Sequence, residues 1–248
     1  MVAVILIAVA FASWSMLPGE AEAVALGISY AEGEEMTYEL EMAMEMMGTN
    51  LSFAMTYTLE VLDVEDGTYT VRTTFSLMEQ TFSLTTRINQ TGHTVEFLDA
   101  PPEFEQSMSY VSFMPGNGFY FPGEMARVGD SWQIPVDMRT EQFNLTGTMD
   151  AKITETGEIA VQAGTYEVFR LEISSDLRMV APPPEYANVT EPIGMNMTME
   201  GYEYFEKGTC RVIEAKIEMT MDMSMMGMAV SIPMTLNMEL TEHILPPT

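Results

Sequence analysis

Apolar and polar residues alternate with a period of two along most of the chain. In the run MTYELEMAMEMM at residues 36–47, the even positions up to 46 are apolar and the odd ones are mostly Thr or Glu. At residues 51–61 the odd positions carry Leu, Phe, Met, Tyr and Val instead. Because the side chains of a β-strand point alternately to its two faces, this period predicts strands with one buried and one solvated face.

Turn signals divide the alternating runs into hairpin-linked strands. Segments containing Gly, Asn or Asp lie at 48–50, 66–67 and 90–92, and Asp-Gly is a strong hairpin signal. Further strands are predicted near 143–153, 166–174, 195–204, 211–225 and 228–242. Strands of ten or more residues favour a strongly curved sheet or a barrel over a small sandwich.

The pattern changes after residue 99. Residues 102–113 begin with proline and carry Phe104, Met108 and Val111 at helical spacing, which predicts one short helix. No low-complexity linker divides the rest of the chain. We therefore predict one antiparallel β domain over residues 24–248. Its class is all-β with one short helix, arranged as a single curved antiparallel sheet or open half-barrel of about ten long strands.

The first 23 residues are predicted to direct the chain out of the cytoplasm. Residues 2–17 are apolar at all but two positions, which is short for a membrane span and typical of a signal-peptide core. The small residues of AEA at 21–23 suit a signal peptidase, so we predict cleavage after about residue 23. No Lys or Arg precedes the apolar run, and an uncleaved membrane anchor is the alternative. Either reading predicts an extracellular or cell-surface protein.

Five of the seven asparagines begin an N-x-S/T triplet. They are Asn50, Asn89, Asn144, Asn188 and Asn196. About one such triplet is expected by chance from the Ser and Thr content. We predict N-glycosylation at these positions, which agrees with a secreted, surface-exposed chain.

The charge balance excludes several partners. Asp plus Glu number 37 against 10 for Lys plus Arg, and the net charge is −27. Such a chain repels nucleic acid and anionic lipid headgroups, so no nucleic-acid partner is predicted. The single Cys210 excludes an internal disulfide and is expected to be a buried, inert thiol.

Few residues are suited to catalysis. The chain has two histidines, His93 and His243, and no G-x-S-x-G elbow, phosphate loop or zinc-ligand set. We therefore predict a protein that is not an enzyme and that has no cofactor and no His/Cys metal site. An extracellular hydrolase remains an alternative if one of the histidines lies in a cleft beside a serine or a carboxylate.

The 26 methionines are the unusual feature of the composition, and six of them lie in IEMTMDMSMMGM at 217–228. Thioethers bind Cu(I), and M-x-M spacing is typical of extracytoplasmic copper handling. The period-two pattern instead indicates that the methionines form core or line a cavity for a hydrophobic ligand. Methionine suits such a cavity because its side chain adapts to irregular apolar shapes. The predicted cavity-lining residues are Met42, Met44, Met219, Met221, Met223 and Met225.

Four short sequence segments together resemble a known group of proteins. They are YAEGEEMTYEL at 30–40, ARVGDSW at 126–132, VQAGTYEVFRLEI at 161–173 and YFEKGTCRVIEAKIEM at 204–219. In this order they are similar to secreted β proteins with a LolA-like fold, the open half-barrel of lipoprotein-localisation factors. The resemblance implies a curved sheet that wraps a short helix, here residues 102–113, and leaves an apolar cavity for acyl chains. No binding residue is carried over from it.

The sequence thus favours a secreted or cell-surface, non-catalytic β domain that binds a lipid or another hydrophobic ligand. A Met-rich Cu(I)-binding protein and a structural cell-surface protein are the alternatives. The sequence leaves the oligomeric state open.

Overall fold

The computed structural model describes residues 23–46, 48–77, 80–99, 121–122, 125–139, 144–182, 193–225 and 228–246. Within these ranges the backbone forms thirteen strands and no helix. The strands are β1 (Ala23–Ala25), β2 (Glu35–Met46), β3 (Thr49–Glu65), β4 (Thr68–Leu77), β5 (Gln80–Asn89), β6 (Thr94–Asp99), β7 (Met125–Arg127), β8 (Ser131–Arg139), β9 (Asn144–Val161), β10 (Gly164–Ala181), β11 (Ile193–Glu206), β12 (Val212–Met225) and β13 (Met228–Ile244).

Eleven of these strands form one antiparallel sheet in the order β6-β5-β4-β3-β2-β13-β12-β11-β10-β9-β8. It consists of two meanders, β2–β6 and β8–β13, which join where the first and last long strands pair, with Leu40 opposite Met238. The predicted all-β fold with one open antiparallel sheet is confirmed. The short strands β1 and β7 pair separately, and the predicted helix at 102–113 lies outside the described residues.

Two strands are longer than the sequence pattern predicts. The alternation indicates strands near 143–153 and 166–174, whereas β9 continues to the turn at 161–164 and β10 runs from that turn to Ala181. The extra part of β9, residues 154–161, has no buried side chain. Hydrophobic alternation therefore gives no signal for this part of β9, which pairs with β10 through the backbone, and the buried side chains of the hairpin here, Tyr166, Val168 and Phe169, lie on β10. On β10 the added residues keep the alternation, with Leu177 and Met179 buried.

The sheet curls strongly at one end. The amide of Ala163, in the β9–β10 turn, lies 3.3 Å from the carbonyl oxygen of Leu240 in β13. Two strands separate β10 from β13 in the sheet, so a flat sheet would place them about 14 Å apart. Residues 28 and 29 bridge an even longer gap, because Ile28 donates to Gln90 in the β5–β6 turn and Ser29 donates to Thr209 in the β11–β12 turn.

The curled end is filled by the chain itself, and we call it the packed end. Val24, Leu26, Ile28 and Tyr30 bury their side chains there, so the segment after β1 occupies the concave side. The sheet's inner face, the one that carries the buried residues, supplies the rest of this core. The plug predicted at 102–113 lies outside the described residues, and within them segment 23–31 fills this end.

A ladder of aromatic rings anchors the packed end. Tyr38, Tyr57, Phe75 and Phe82 lie opposite one another on β2, β3, β4 and β5. The first two rings stack with centroids 4.7 Å apart and an interplanar angle of 12°. Such pairs add stability beyond the apolar area that they bury.

Candidate ligand surface

The inner face changes character toward the opposite end, near the β2–β3 and β12–β13 turns. On β2 the inner residues run from Leu40, which is fully buried, through half-buried Met42 and Met44 to Met46, which is 41% exposed. On β3 they run from buried Tyr57 to Leu51, which is 44% exposed. This apolar part of the inner face, beyond Leu40 on β2 and its neighbours in register, is called the methionine end below.

The sheet register brings methionines of neighbouring strands side by side. Three pairs lie directly opposite each other on β11 and β12: Met195 with Met223, Met197 with Met221, and Met199 with Met219. We call these six residues the methionine block. The row of Met219 continues across the sheet through Met234 on β13 to Met44 on β2.

The predicted cavity-lining residues lie where the alternation places them. Met42, Met44, Met219, Met221 and Met223 are all half-buried on the inner face. Met225 ends β12, and its side chain is outside the described part. Whether a ligand contacts them stays a prediction.

The predicted cavity-lining set lacks five further methionines of this surface. They are Met46, Met195, Met197, Met199 and Met234. The M-x-M-x-M run at 195–199 was a visible signal, but only the pairing of β11 with β12 shows that it faces the run at 219–223.

The block continues into a small separate core. Leu145, Leu177, Met179 and Met197 form a buried cluster of their own, distinct from the main core of the packed end. The block is therefore buried at Met197 on β11, whereas Met221 and Met223 on β12 are half-buried.

Ser175 and Glu203 are buried polar residues of the inner face whose side-chain oxygens have no hydrogen-bond partner among the described residues. Ser175 is 8% exposed, lies opposite Met199 on β11, and its hydroxyl is unpaired. Glu203 is fully buried, and neither of its carboxyl oxygens has a partner. Burial therefore raises the pKa of Glu203 well above its usual range, because a charged carboxylate without partners is costly in an apolar interior.

A buried ion network lies at the packed end. The Arg211 guanidinium contacts the carboxylate of Glu34 and lies 2.6 Å from a carboxylate oxygen of Glu206. The same Glu34 oxygen is 3.0 Å from Nε2 of His243. Arg211 and Glu34 have side chains only 3% and 2% exposed. The network ties the segment before β2 to the β11–β12 turn and to the end of β13.

The histidine beside a carboxylate is the arrangement that the hydrolase alternative requires, and among the described residues no serine hydrogen-bonds to this imidazole. Nδ1 of His243 is 3.5 Å from the Tyr166 hydroxyl, so both of its ring nitrogens face polar groups. Cys210 is buried, as predicted, and its thiol donates to the Ala25 carbonyl. Burial raises the pKa of Cys210 to about 11, which keeps the thiol protonated and unreactive near neutral pH.

The outer face, which carries the polar positions of the alternation, has a groove of about 660 Å³ across β8–β12. Its lining includes Lys152, Arg170 and Lys216 together with Asp150, Glu172, Glu200 and Glu218. The Arg170 guanidinium lies 4.4 Å above the Tyr202 ring and 3.5 Å from Glu172. The opposite charges nearly cancel, so the groove selects for neither sign of ligand.

The predicted glycosylation sites differ in accessibility. Asn50, Asn144 and Asn196 are exposed. Asn89 is half-buried, and its side-chain oxygen accepts hydrogen bonds from Thr91 and His93 in the β5–β6 turn. Asn188 lies outside the described residues. Modification at these positions stays a prediction.

Two kinds of feature are absent from the part of the chain described here. No helix there is long and apolar enough to span a membrane. No group of three or more His, Cys, Asp and Glu side chains there is arranged to hold a metal ion.

No family model and no curated protein matches the chain. Two solved structures align with most of it. One, from Bacteroides fragilis, is designated an exported protein with a YmcC-like fold; it is 10% identical, with 89% of this chain and 100% of that chain covered and a TM-score of 0.36. The other, from Parabacteroides distasonis, is designated a lipoprotein; it is 13% identical, with 90% and 100% covered and a TM-score of 0.40. Neither alignment is close enough to assign a family or a function.

Proposed function

We propose that this chain is a non-catalytic, extracytoplasmic domain that binds a lipid or another hydrophobic ligand at its methionine end. The observation that carries the proposal is the half-exposed, continuous apolar surface formed by the inner faces of β2, β3, β12 and β13. The N-terminal apolar segment and the five N-x-S/T triplets support the extracytoplasmic location.

Exposed apolar side chains in one continuous patch are unusual for a soluble protein and mark a surface that contacts something apolar. Methionine suits such a surface, because its unbranched side chain adjusts to ligands of irregular shape. The LolA-like resemblance in the sequence points in the same direction, toward acyl chains. The net charge of −27 disfavours a ligand with an anionic headgroup.

Native mass spectrometry of the protein purified from its own host tests the proposal. We expect masses above that of the polypeptide and its glycans, with a lipid or other hydrophobic molecule released on denaturation. A spectrum of ligand-free protein would contradict the proposal and favour a structural role at the cell surface.

A matched pair of variants locates the ligand. Met44 and Ala43 are neighbours on β2 that point to opposite faces. Met44→Asp places a charge on the methionine end and should abolish ligand retention, because an unpaired carboxylate is costly in an apolar contact. Ala43→Asp adds the same charge to the outer face and should leave retention unchanged. Equal retention by both variants would place the ligand elsewhere.

A further inference from the structure

We propose that the methionine block binds Cu(I) through thioether sulfurs supplied jointly by β11 and β12. This is a second ligand, distinct in chemistry from the hydrophobic ligand proposed above. The proposal rests on the register that sets Met195, Met197 and Met199 opposite Met223, Met221 and Met219.

The register provides enough sulfur within reach of one ion. Directly opposite residues in an antiparallel pair have Cβ atoms about 4.5–5.5 Å apart, and next-but-one residues of one strand are about 7 Å apart. Met197, Met221 and Met219 therefore form a triangle of side chains, each with three rotatable bonds beyond Cα. Their sulfur atoms can converge on a point between the two strands.

The ligand chemistry selects a soft cation. Thioethers are neutral, soft donors that favour Cu(I) over Zn²⁺ or Ca²⁺. The imidazoles and the thiol of the chain are far from the block, because His93 and Cys210 lie in turns at the packed end and His243 lies there near the end of β13. The net charge of −27 raises the local concentration of cations around the protein.

At the packed end, these two strands use apolar residues other than methionine. At the packed end, the inner positions of β12 carry Ala215 and Ile217, and β11 carries Phe205, all of them buried. Branched and aromatic residues suit a strand better than methionine, and ordering a methionine side chain costs up to about 1.5–2 kcal/mol of rotamer entropy. At half-buried positions such as 221 and 223, burial does not fully offset that cost. Sulfur is the property that methionine brings to these positions.

A Met→Leu exchange separates the two ligands, because it keeps apolar volume and removes sulfur. The test variant is Met197→Leu/Met219→Leu/Met221→Leu. The control, Met36→Leu/Met125→Leu/Met238→Leu, removes the same number of sulfurs from two buried positions of the sheet and from exposed β7. Such volume-conserving exchanges usually cost less than about 1.5 kcal/mol each, and circular dichroism verifies that both variants fold.

The measurement is an Ag(I) titration of the full chain by calorimetry, followed by an anaerobic Cu(I) titration against a competing chelator. We expect the unmodified protein and the control to bind with a dissociation constant below about 1 µM, and the block variant to bind at least about tenfold more weakly. X-ray absorption of the Cu(I) complex should show only sulfur neighbours.

Three outcomes would overturn the proposal: no binding tighter than micromolar, equal Ag(I) affinity of the block and control variants, or nitrogen and oxygen ligands at copper. None of them affects the hydrophobic ligand, whose retention is measured separately by native mass spectrometry. A block variant that loses Ag(I) and still retains the hydrophobic ligand supports both proposals.

Discussion

The two ends of the inner face are built on the same strands by the same alternation, yet they differ in what covers them. At the packed end, which segment 23–31 fills, Tyr38 stacks on Tyr57 and both side chains are buried. About 20 Å further along β2, Met44 and Met46 are half-buried and exposed. One end buries rigid rings and branched aliphatics, and the other presents flexible thioethers.

This difference places the stabilising contacts at one end and, in the function proposed above, ligand binding at the other. The packed end holds the aromatic ladder, the ion network and the segment that closes the curled sheet. The methionine end contributes less burial per side chain and is therefore free to contact a ligand. Separation of this kind allows a ligand surface to vary without loss of the fold.

The largest effect is expected from breaking the ion network with Arg211→Met. The change leaves the carboxylates of Glu34 and Glu206 without their cation, and loss of one partner of a buried pair typically costs about 3–5 kcal/mol. Urea unfolding followed by tyrosine fluorescence measures this loss. As the control, Arg72→Met removes a pair with Glu60 in which both side chains are over 40% exposed, and it should cost at most about 1 kcal/mol. Similar losses for the two variants would contradict a structural role for the network.

The next largest loss of stability is expected at Leu40 of β2, and Met44 on the same strand allows the two ends to be compared directly. Leu40→Ala should cost about 2–5 kcal/mol, because Leu40 is fully buried and its loss leaves a cavity. Met44→Ala, four residues further along the same face, should cost less than about 1.5 kcal/mol, because its side chain is already half in water. The urea midpoints of unfolding of the two variants measure these costs. Equal costs would mean that the methionine end is packed as densely as the other.

Much of this fold follows from the sequence pattern alone. The period of two correctly assigns the faces of β2, β3 and β12, and the Asp66-Gly67 signal marks a hairpin turn in which both residues have positive φ, 48° and 75°. These features are local, because each depends on residues within one strand or one turn.

The rest depends on contacts between distant parts of the chain. Arg211 and Glu34 are 177 residues apart, and His243 and Glu34 are 209 apart, so no local pattern reveals the network. The alternation of β2 is the same before and after Leu40, so it cannot tell the buried positions from the half-exposed ones. The methionine block needs the register of β11 against β12, which single-strand periodicity does not define.

A pH-dependent effect, smaller per pH unit than the loss expected for Leu40→Ala, is expected at Glu203. Its pKa in the folded state is raised by burial, so above the unfolded-state pKa the folded chain holds a proton that the unfolded chain has lost. The stabilisation that Glu203 contributes is fully present below the pKa of its carboxyl in the unfolded chain. It falls as pH rises toward the folded-state pKa, by up to about 1.4 kcal/mol per pH unit. Glu203→Gln removes this pH dependence of stability. The free energy of unfolding of the variant, relative to that of the unmodified protein, should therefore increase between pH 5 and pH 8.

The control for this effect is Glu200→Gln, on the exposed outer face of the same strand. It should leave the pH profile of the urea midpoint parallel to that of the unmodified protein. Parallel profiles for Glu203→Gln as well would show that the carboxyl is not protonated in the folded state, and would count against the dry, packed interior at that end.

The smallest effect tests whether methionine is optimal for stability at each end. Met221→Ile introduces a branched residue at a half-buried strand position, where β-propensity favours it, and should change the free energy of unfolding by between zero and a gain of about 1 kcal/mol. Met238→Ile makes the same change at a position that is 1% exposed, where the new shape must fit fixed neighbours, and should cost up to about 1.5 kcal/mol. Urea midpoints of the metal-free proteins measure both. A gain at Met221 with a loss at Met238 means that methionine serves packing at one end and is retained for another purpose at the other. A loss at Met221 as large as that at Met238 would remove this distinction, and with it the argument that the sulfur atoms of the block are there to bind.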